Sequence, residues 1–166
     1  MKRTFTQALY REHITALAQR LRAEAKPGRS LADAQEIRIG IHADIGSWKA
    51  SGLYIVPMRD RVTDEETNSW QHVLRMRIIA QTRVGYWKGD TGDKDDDLST
   101  FILTDLVGGV VDVVKEDRDL TPTSYLSFGG SENADEITFE VAAQSEAGPF
   151  YYRAEIPVDI EIEGTA

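Results

Sequence analysis

Residues 150–163 read FYYRAEIPVDIEIE. Phe150, Tyr152, Ala154, Ile156, Val158, Ile160 and Ile162 alternate with Tyr151, Arg153, Glu155, Asp159, Glu161 and Glu163. Successive side chains of an extended chain point to opposite faces, so this period of two marks a strand with one apolar and one polar face. A partner precedes it. Residues 136–143, EITFEVAA, alternate Ile137, Phe139 and Val141 with Thr138 and Glu140, and QSEAGP between the two runs reads as a hairpin connection. Pro157 offers no amide hydrogen to a ladder, which predicts that the second strand runs along a sheet edge for part of its length.

The same reading extends toward the N-terminus. At 37–45, Ile37, Ile39, Ile41, Ala43 and Ile45 alternate with Arg38, Gly40, His42 and Asp44, a half-buried strand. GLYIVPMRDRV at 52–62 is a second strand, in which Pro57 marks an edge or a bulge. After the polar turn TDEETNS, a third strand at 70–84 sets Leu74, Met76, Ile78, Ala80 and Val84 against Arg75, Arg77, Gln81 and Arg83. Two segments have helical period instead. Over 5–25, Thr4 and Gln7 form a capping-box pair and Tyr10, Ile14, Leu17 and Leu21 fall on one stripe, ended by Lys26-Pro27-Gly28. Over 98–116, apolar residues from Phe101 to Val114 wrap most of the circumference, which predicts burial on more than one side. Gly108-Gly109 weakens that helix by ~1 kcal/mol per glycine relative to alanine, a loss that makes sense where another backbone approaches closely. The order α-β-β-β-α-β-β predicts an α+β fold: one domain, 1–166, with a mainly antiparallel sheet flanked by an N-terminal helix and a central apolar helix.

Composition narrows the function classes. The 166 residues include no cysteine, which excludes disulfides, thiol catalysis and thiolate metal sites. No apolar run approaches the ~20 residues of a membrane span, and MKRTFTQALYREH lacks the apolar core of a signal peptide, so neither is expected. The net charge of −9 is unevenly spread: 1–36 carries +3 and 131–166 carries −8. Phosphate affinity comes mainly from Lys and Arg, so an acidic chain is not expected to bind nucleic acid. A basic head and an acidic tail also suit pairing between subunits.

The stretch that most resembles a chemical site is YWKGDTGDKDDDLS at 86–99. Asp93, Asp95 and Asp97 match positions 1, 3 and 5 of a calcium loop and are the candidate metal ligands. The sixth position, which needs glycine, is Leu98, and the twelfth, which needs a bidentate glutamate, is Thr104. Asp96 and Asp97 instead suit the start of the following helix, where carboxylates complement the dipole. The loop then reads as a contact segment with Trp87 at its base. His13, His42 and His72 lie on different elements without ligand spacing, and neither a G-x-S-x-G elbow nor a phosphate loop occurs. No catalytic residue is assigned, no cofactor is expected, and an enzyme is not expected.

The order of elements resembles the tail-terminator, or tail-completion, proteins of long-tailed bacteriophages. The resembling text is SWQHVLRMRIIAQTRV, the acidic loop, the helix LSTFILTDLVGGVVDVVKEDRDL, and the closing EITFEVAAQSEAGPFYYRAEIPVDIEIEG. A tryptophan and a basic residue accompany the long strand, and the helix closes in Asp-x-x-Leu at Asp117 and Leu120. The usual glycine after that leucine is replaced by TPTSYLSFGG. The resemblance implies a structural virion protein of the tail, assembled in the host cytoplasm. It would form a homo-oligomeric, hexameric ring that stops the tail tube and joins it to head-completion or neck proteins. DNA would pass through the channel without specific binding, and no membrane would be involved. Trp87, Asp90, Asp95, Asp96, Gly108 and Gly109 are then candidates for oligomer or tube contact. Asp159, Glu161 and Glu163 are candidates for lining the lumen. A head-to-tail connector or neck protein, and a small-ligand or divalent-ion domain using 90–97, are the alternatives.

Overall fold

A computed structural model of the chain describes residues 4–41, 49–64, 69–84, 95–128, 136–143 and 150–165. The elements are α1 (Phe5–Ala23), β1 (Glu36–Ile39), β2 (Ser51–Asp64), β3 (Ser69–Arg83), α2 (Asp95–Glu116), β4 (Asp119–Thr121), β5 (Ser124–Ser127), β6 (Thr138–Ala143) and β7 (Phe150–Thr165). Among the described residues seven strands form one sheet, in the order β1-β2-β3-β7-β5-β4, with β6 also on β7. All pairs are antiparallel except β1 with β2. The α+β class holds. The expected order of elements does not, because it lacks β4 and β5, which lie between α2 and β6.

β7 is not an edge strand. β3 pairs with it from Ser69↔Thr165 to Arg83↔Tyr151 without interruption. On its other side β6 takes residues 150–155 and β5 takes 159–162. Glu163 donates its amide to Thr123 on the β5 side, so odd-numbered residues of β7 direct their backbone groups toward β5 and β6. Pro157 is odd-numbered and falls between the two segments. Its missing amide hydrogen therefore coincides with the seam where β6 has ended and β5 has not begun.

Two features shape the other side of the sheet. β1 stops at Ile39, short of the 37–45 expected from alternation. Pro57 has no N–H to extend the ladder, and Gly40 turns away at φ 83°; residues 42–48 lie outside the described residues. The β2–β3 register shifts between Pro57 and Arg59, a bulge at Met58. A bulge exchanges the faces beyond it. Leu53 and Ile55 face the helices before the bulge, and Asp60, opposite Leu74, faces them after it.

The core lies between the helices and one face of the sheet. Leu17 and Leu21 of α1, Leu106 and Val110 of α2, and Leu53, Ile55, Met76, Ile78, Ile156 and Ile160 of the strands are almost wholly buried in it. Each such side chain contributes about 1.5–3 kcal/mol relative to exposure. The capping box forms as expected: the Thr4 side chain accepts from the Gln7 amide, and the Gln7 side chain accepts from the Thr4 amide. The C-terminal turn of α1 reaches both rims of the sheet. Arg20 donates to the Asp117 carbonyl at 2.7 Å and to that of Asp119, which opens β4. Arg22 donates to the Ile37 carbonyl of β1 at 3.0 Å. Two arginines thus hold one helix end between strands at opposite edges, so the sheet curls around α1.

Candidate functional site

The bulge at Met58 sets up a polar group beneath α1. The Tyr10 hydroxyl donates to Asp60 Oδ2 at 2.6 Å, and His72 Nδ1 meets the same oxygen at 2.6 Å. Asp60 Oδ1 is buried without a hydrogen-bond partner. The hydrogen bond to Asp60 pushes the Tyr10 phenol above its ordinary range, aided by burial and by the carboxylate charge. Trp70 stands edge-on to His72 at 5.4 Å, and Phe5 edge-on to Trp70 at 5.5 Å. Trp70 lies flat across the strand opposite, where a Cβ on Gly164 would come within 2.0 Å of the indole. Only glycine allows that approach. With the His72 and Asp60 side chains 8% and 11% exposed, this set presents little surface to a substrate and instead fastens α1 to the sheet.

The opposite face of the sheet carries charges in cross-strand pairs. Arg75 Nε and Nη2 donate to the two carboxylate oxygens of Asp159 at 2.7 and 2.9 Å, and both residues are buried. Those hydrogen bonds raise the Arg75 pKa further, against the effect of burial. Arg77 pairs with Glu155 at 3.2 Å, and Arg153 bridges Gln81 and Glu140. Fork-to-carboxylate pairing of this kind is geometrically specific. Of the three carboxylates expected to line a lumen, Asp159 has its charge matched by Arg75 and is shielded from solvent. Glu161 is half-buried and Glu163 is exposed on the same face.

Glu163 adjoins a cleft of about 1000 Å³ between the ends of β3 and β7 and the β4–β5 turn. Trp70, Asp119, Thr121, Tyr125 and Glu163 are among its walls, and its charged lining residues are both acidic. Burial pushes the Tyr125 phenol up, as do the charge of Glu161, the hydrogen bond to it, and the charge of Glu163. An acidic, aromatic corner of this kind repels phosphate. Thr121 Oγ1, on its wall, meets the Ser124 hydroxyl at 2.7 Å and the buried His13 Nε2 at 3.4 Å.

Trp87, Asp90 and Asp93 lie outside the described residues, while Asp95, Asp96 and Asp97 form the first turn of α2, three residues earlier than the expected start. Among the described residues no group of three His, Asp or Glu side chains is arranged to hold a metal ion, and no helix is long and apolar enough to cross a membrane. The two glycines of α2 differ. Gly108 is exposed and faces open space. At Gly109 a Cβ would stand 2.3 Å from the Ser30 carbonyl oxygen and 2.6 Å from Leu31. The close approach expected of this pair is thus made by Gly109, to the α1–β1 connection of the same chain. The second buried side of α2 is likewise met within the chain, by α1 and that connection, while Leu98 and Phe101 remain exposed.

No family model matches the chain, and no curated protein matches it in sequence.

Proposed function

We propose that this chain is a non-enzymatic structural protein that forms a ring, ends a phage tail tube and joins it to the head-completion or neck proteins. The supporting observation is where apolar side chains meet solvent. Ile39 at the end of β1 and Ile41 just beyond it are 42% and 52% exposed, and Phe139 and Val141 of β6 are 56% and 63% exposed. Contiguous exposed apolar residues on strand edges are uncommon on monomeric proteins and mark contact surfaces. Two buried polar sets, Tyr10–Asp60–His72 and Arg75–Asp159, join elements of the fold to one another. The acidic corner at Glu161 and Glu163 suits a passage through which DNA slides without binding, because like charge keeps the phosphates off the wall.

Light scattering on the eluted protein across a hundredfold concentration range, with electron microscopy of the same fractions, tests this reading. A closed ring of defined mass is the expected result. A monomer at every concentration refutes it.

A further inference from the structure

The ring reading leaves open how one copy meets the next, and the sheet register answers that. One row of paired residues crosses the sheet from rim to rim: Ile37, Leu53, Ala80, Ala154, Phe139. β1 and β6 therefore stand at the same height on opposite rims, and among the described residues neither carries a further strand on its outer side. Both rims have the same two-faced character. Ile37, Ile39, Phe139 and Val141 point to the helix side; Arg38 and Glu140 point to the charged side.

The backbone groups also match. Gly40 donates to the Ile55 carbonyl, so even-numbered residues of β1 bond to β2, and Ile37 and Ile39 direct their N–H and C=O groups outward. Odd-numbered residues of β7 bond toward β6, so their partners Thr138, Glu140 and Ala142 point inward and Phe139 and Val141 point outward. Strand directions run β1 up, β3 down, β7 up and β6 down. Copies related by rotation about an axis along the strands thus bring β1 of one against β6 of the next in antiparallel sense.

We propose that β1 of one copy pairs with β6 of the next, head to tail, with Arg38 opposite Glu140. This rests on the ring reading. In that register Ile37 meets Val141 and Ile39 meets Phe139, apolar against apolar on one face, with opposite charges facing on the other. The unstaggered register is worse, because it sets Glu36 against Glu140, and like charges directly opposite are unfavourable. The favoured register is staggered by two residues, and closing a sheet on itself requires stagger. Such a contact is heterologous, the type that closes into rings. Glu140 already touches Arg153 at 3.6 Å and is 54% exposed, which leaves it reachable from the far side. Arg22 donates to the Ile37 carbonyl, whose second lone pair stays available to the incoming strand.

Because the chain has no cysteine, paired cysteines read the contact directly. Arg38 and Glu140 would form a non-hydrogen-bonded pair, whose Cα separation of about 4.5 Å accommodates a disulfide. R38C and E140C proteins are mixed under oxidising conditions, and light scattering on the wild-type chain is run alongside. A covalent dimer in the mixture but in neither protein alone is the expected result, and the R38C/E140C double variant should give a ladder of species. E36C mixed with E140C should cross-link at least about tenfold less. Charge reversal supplies an independent readout: R38E and E140R each weaken association about threefold to tenfold, and the double reversal restores it. An oligomer without the R38C–E140C cross-link overturns the edge pairing and leaves the ring reading standing. Equal cross-linking through E36C overturns the register. A monomer at every concentration with no cross-link overturns both.

Discussion

Gly108 and Gly109 are adjacent in one helix, yet alanine at the two positions is expected to act with opposite sign. In a helix interior alanine is favoured over glycine by ~1 kcal/mol, the same intrinsic gain at either position. At Gly108 nothing lies within 4 Å of the new methyl group, so the gain is realised. At Gly109 the methyl carbon would stand 2.3 Å from a carbonyl oxygen of the backbone, which no rotamer change can relieve. Either α2 lifts from the Ser30–Leu31 turn by roughly an ångström or the turn moves, and overpacking of this kind costs about 1–3 kcal/mol. Leu31 is fully buried against α2, so the displacement is transmitted to the core. Subtracting one variant from the other cancels the propensity gain and isolates the clash: G109A should be less stable than G108A by about 1–3 kcal/mol. At ~2–4 °C per kcal/mol for a domain of this size, the melting temperatures should differ by roughly 2–12 °C. Urea unfolding and thermal melts followed by circular dichroism measure this, at a protein concentration low enough that assembly does not contribute. Equal stabilities for the two variants refute the close approach of α2 to the turn.

Other perturbations have equally definite outcomes. R75M should lower stability by about 3–5 kcal/mol in chemical denaturation, because it strands a buried Asp159 charge; R75M/D159L should recover most of that loss, and an unaffected R75M refutes the buried pair. Tyr10, Tyr54 and Tyr125 all have raised pKa values, Tyr54 mainly through burial and then through the neighbouring Glu36 charge. A raised folded pKa contributes stability that is complete below the unfolded value of about 10 and is lost as pH climbs beyond it. Stability should therefore be insensitive to these groups near neutrality and fall above pH ~10, together with delayed tyrosinate absorbance at 295 nm; a normal tyrosinate titration in the folded protein contradicts this. G164A should displace Trp70 from its seat on β7 and loosen α1 through Phe5, costing about 1–3 kcal/mol. In a background with Trp48 and Trp87 changed to phenylalanine, its fluorescence should shift, and unchanged emission rules that out.

Periodicity made the larger elements legible. The alternation of 150–163 and 70–84 identifies the two longest strands, because one face of each is buried over a long run, 154–162 and 72–80. The capping box at Thr4 and Gln7 and the stripe through Leu17 and Leu21 identified α1. Failures occurred where local chemistry is weak and distant contacts decide. SYLS and DLT are too short to show a period, and they become strands because β7 offers an open edge beyond Pro157. That proline signals an edge, since sequence alone does not distinguish a strand at a rim from one whose neighbours change. The charged pairs were partly recoverable: once β3 and β7 are aligned antiparallel, Arg75 falls opposite Asp159. Asp60 was not recoverable, because its inward direction depends on a bulge one residue long. The acidic loop drew notice by composition, whereas the edge residues Arg38 and Glu140 acquire meaning only when the register places their strands at one height.

The seam at Pro157 divides β7 into two segments with different neighbours. The β5 segment is held by a ladder that continues into β4 and α1, whereas among the described residues of one copy β6 carries no further strand on its outer side. No backbone hydrogen bond at Pro157 couples the two, so β6 can detach as a cooperative unit of its own while β5 remains seated. In the unassembled monomer, amide hydrogen exchange should accordingly be faster across 138–143 than across 124–127. The rim strand behaves as a hinged flap on a rigid sheet, free to adjust its twist without straining the core behind it.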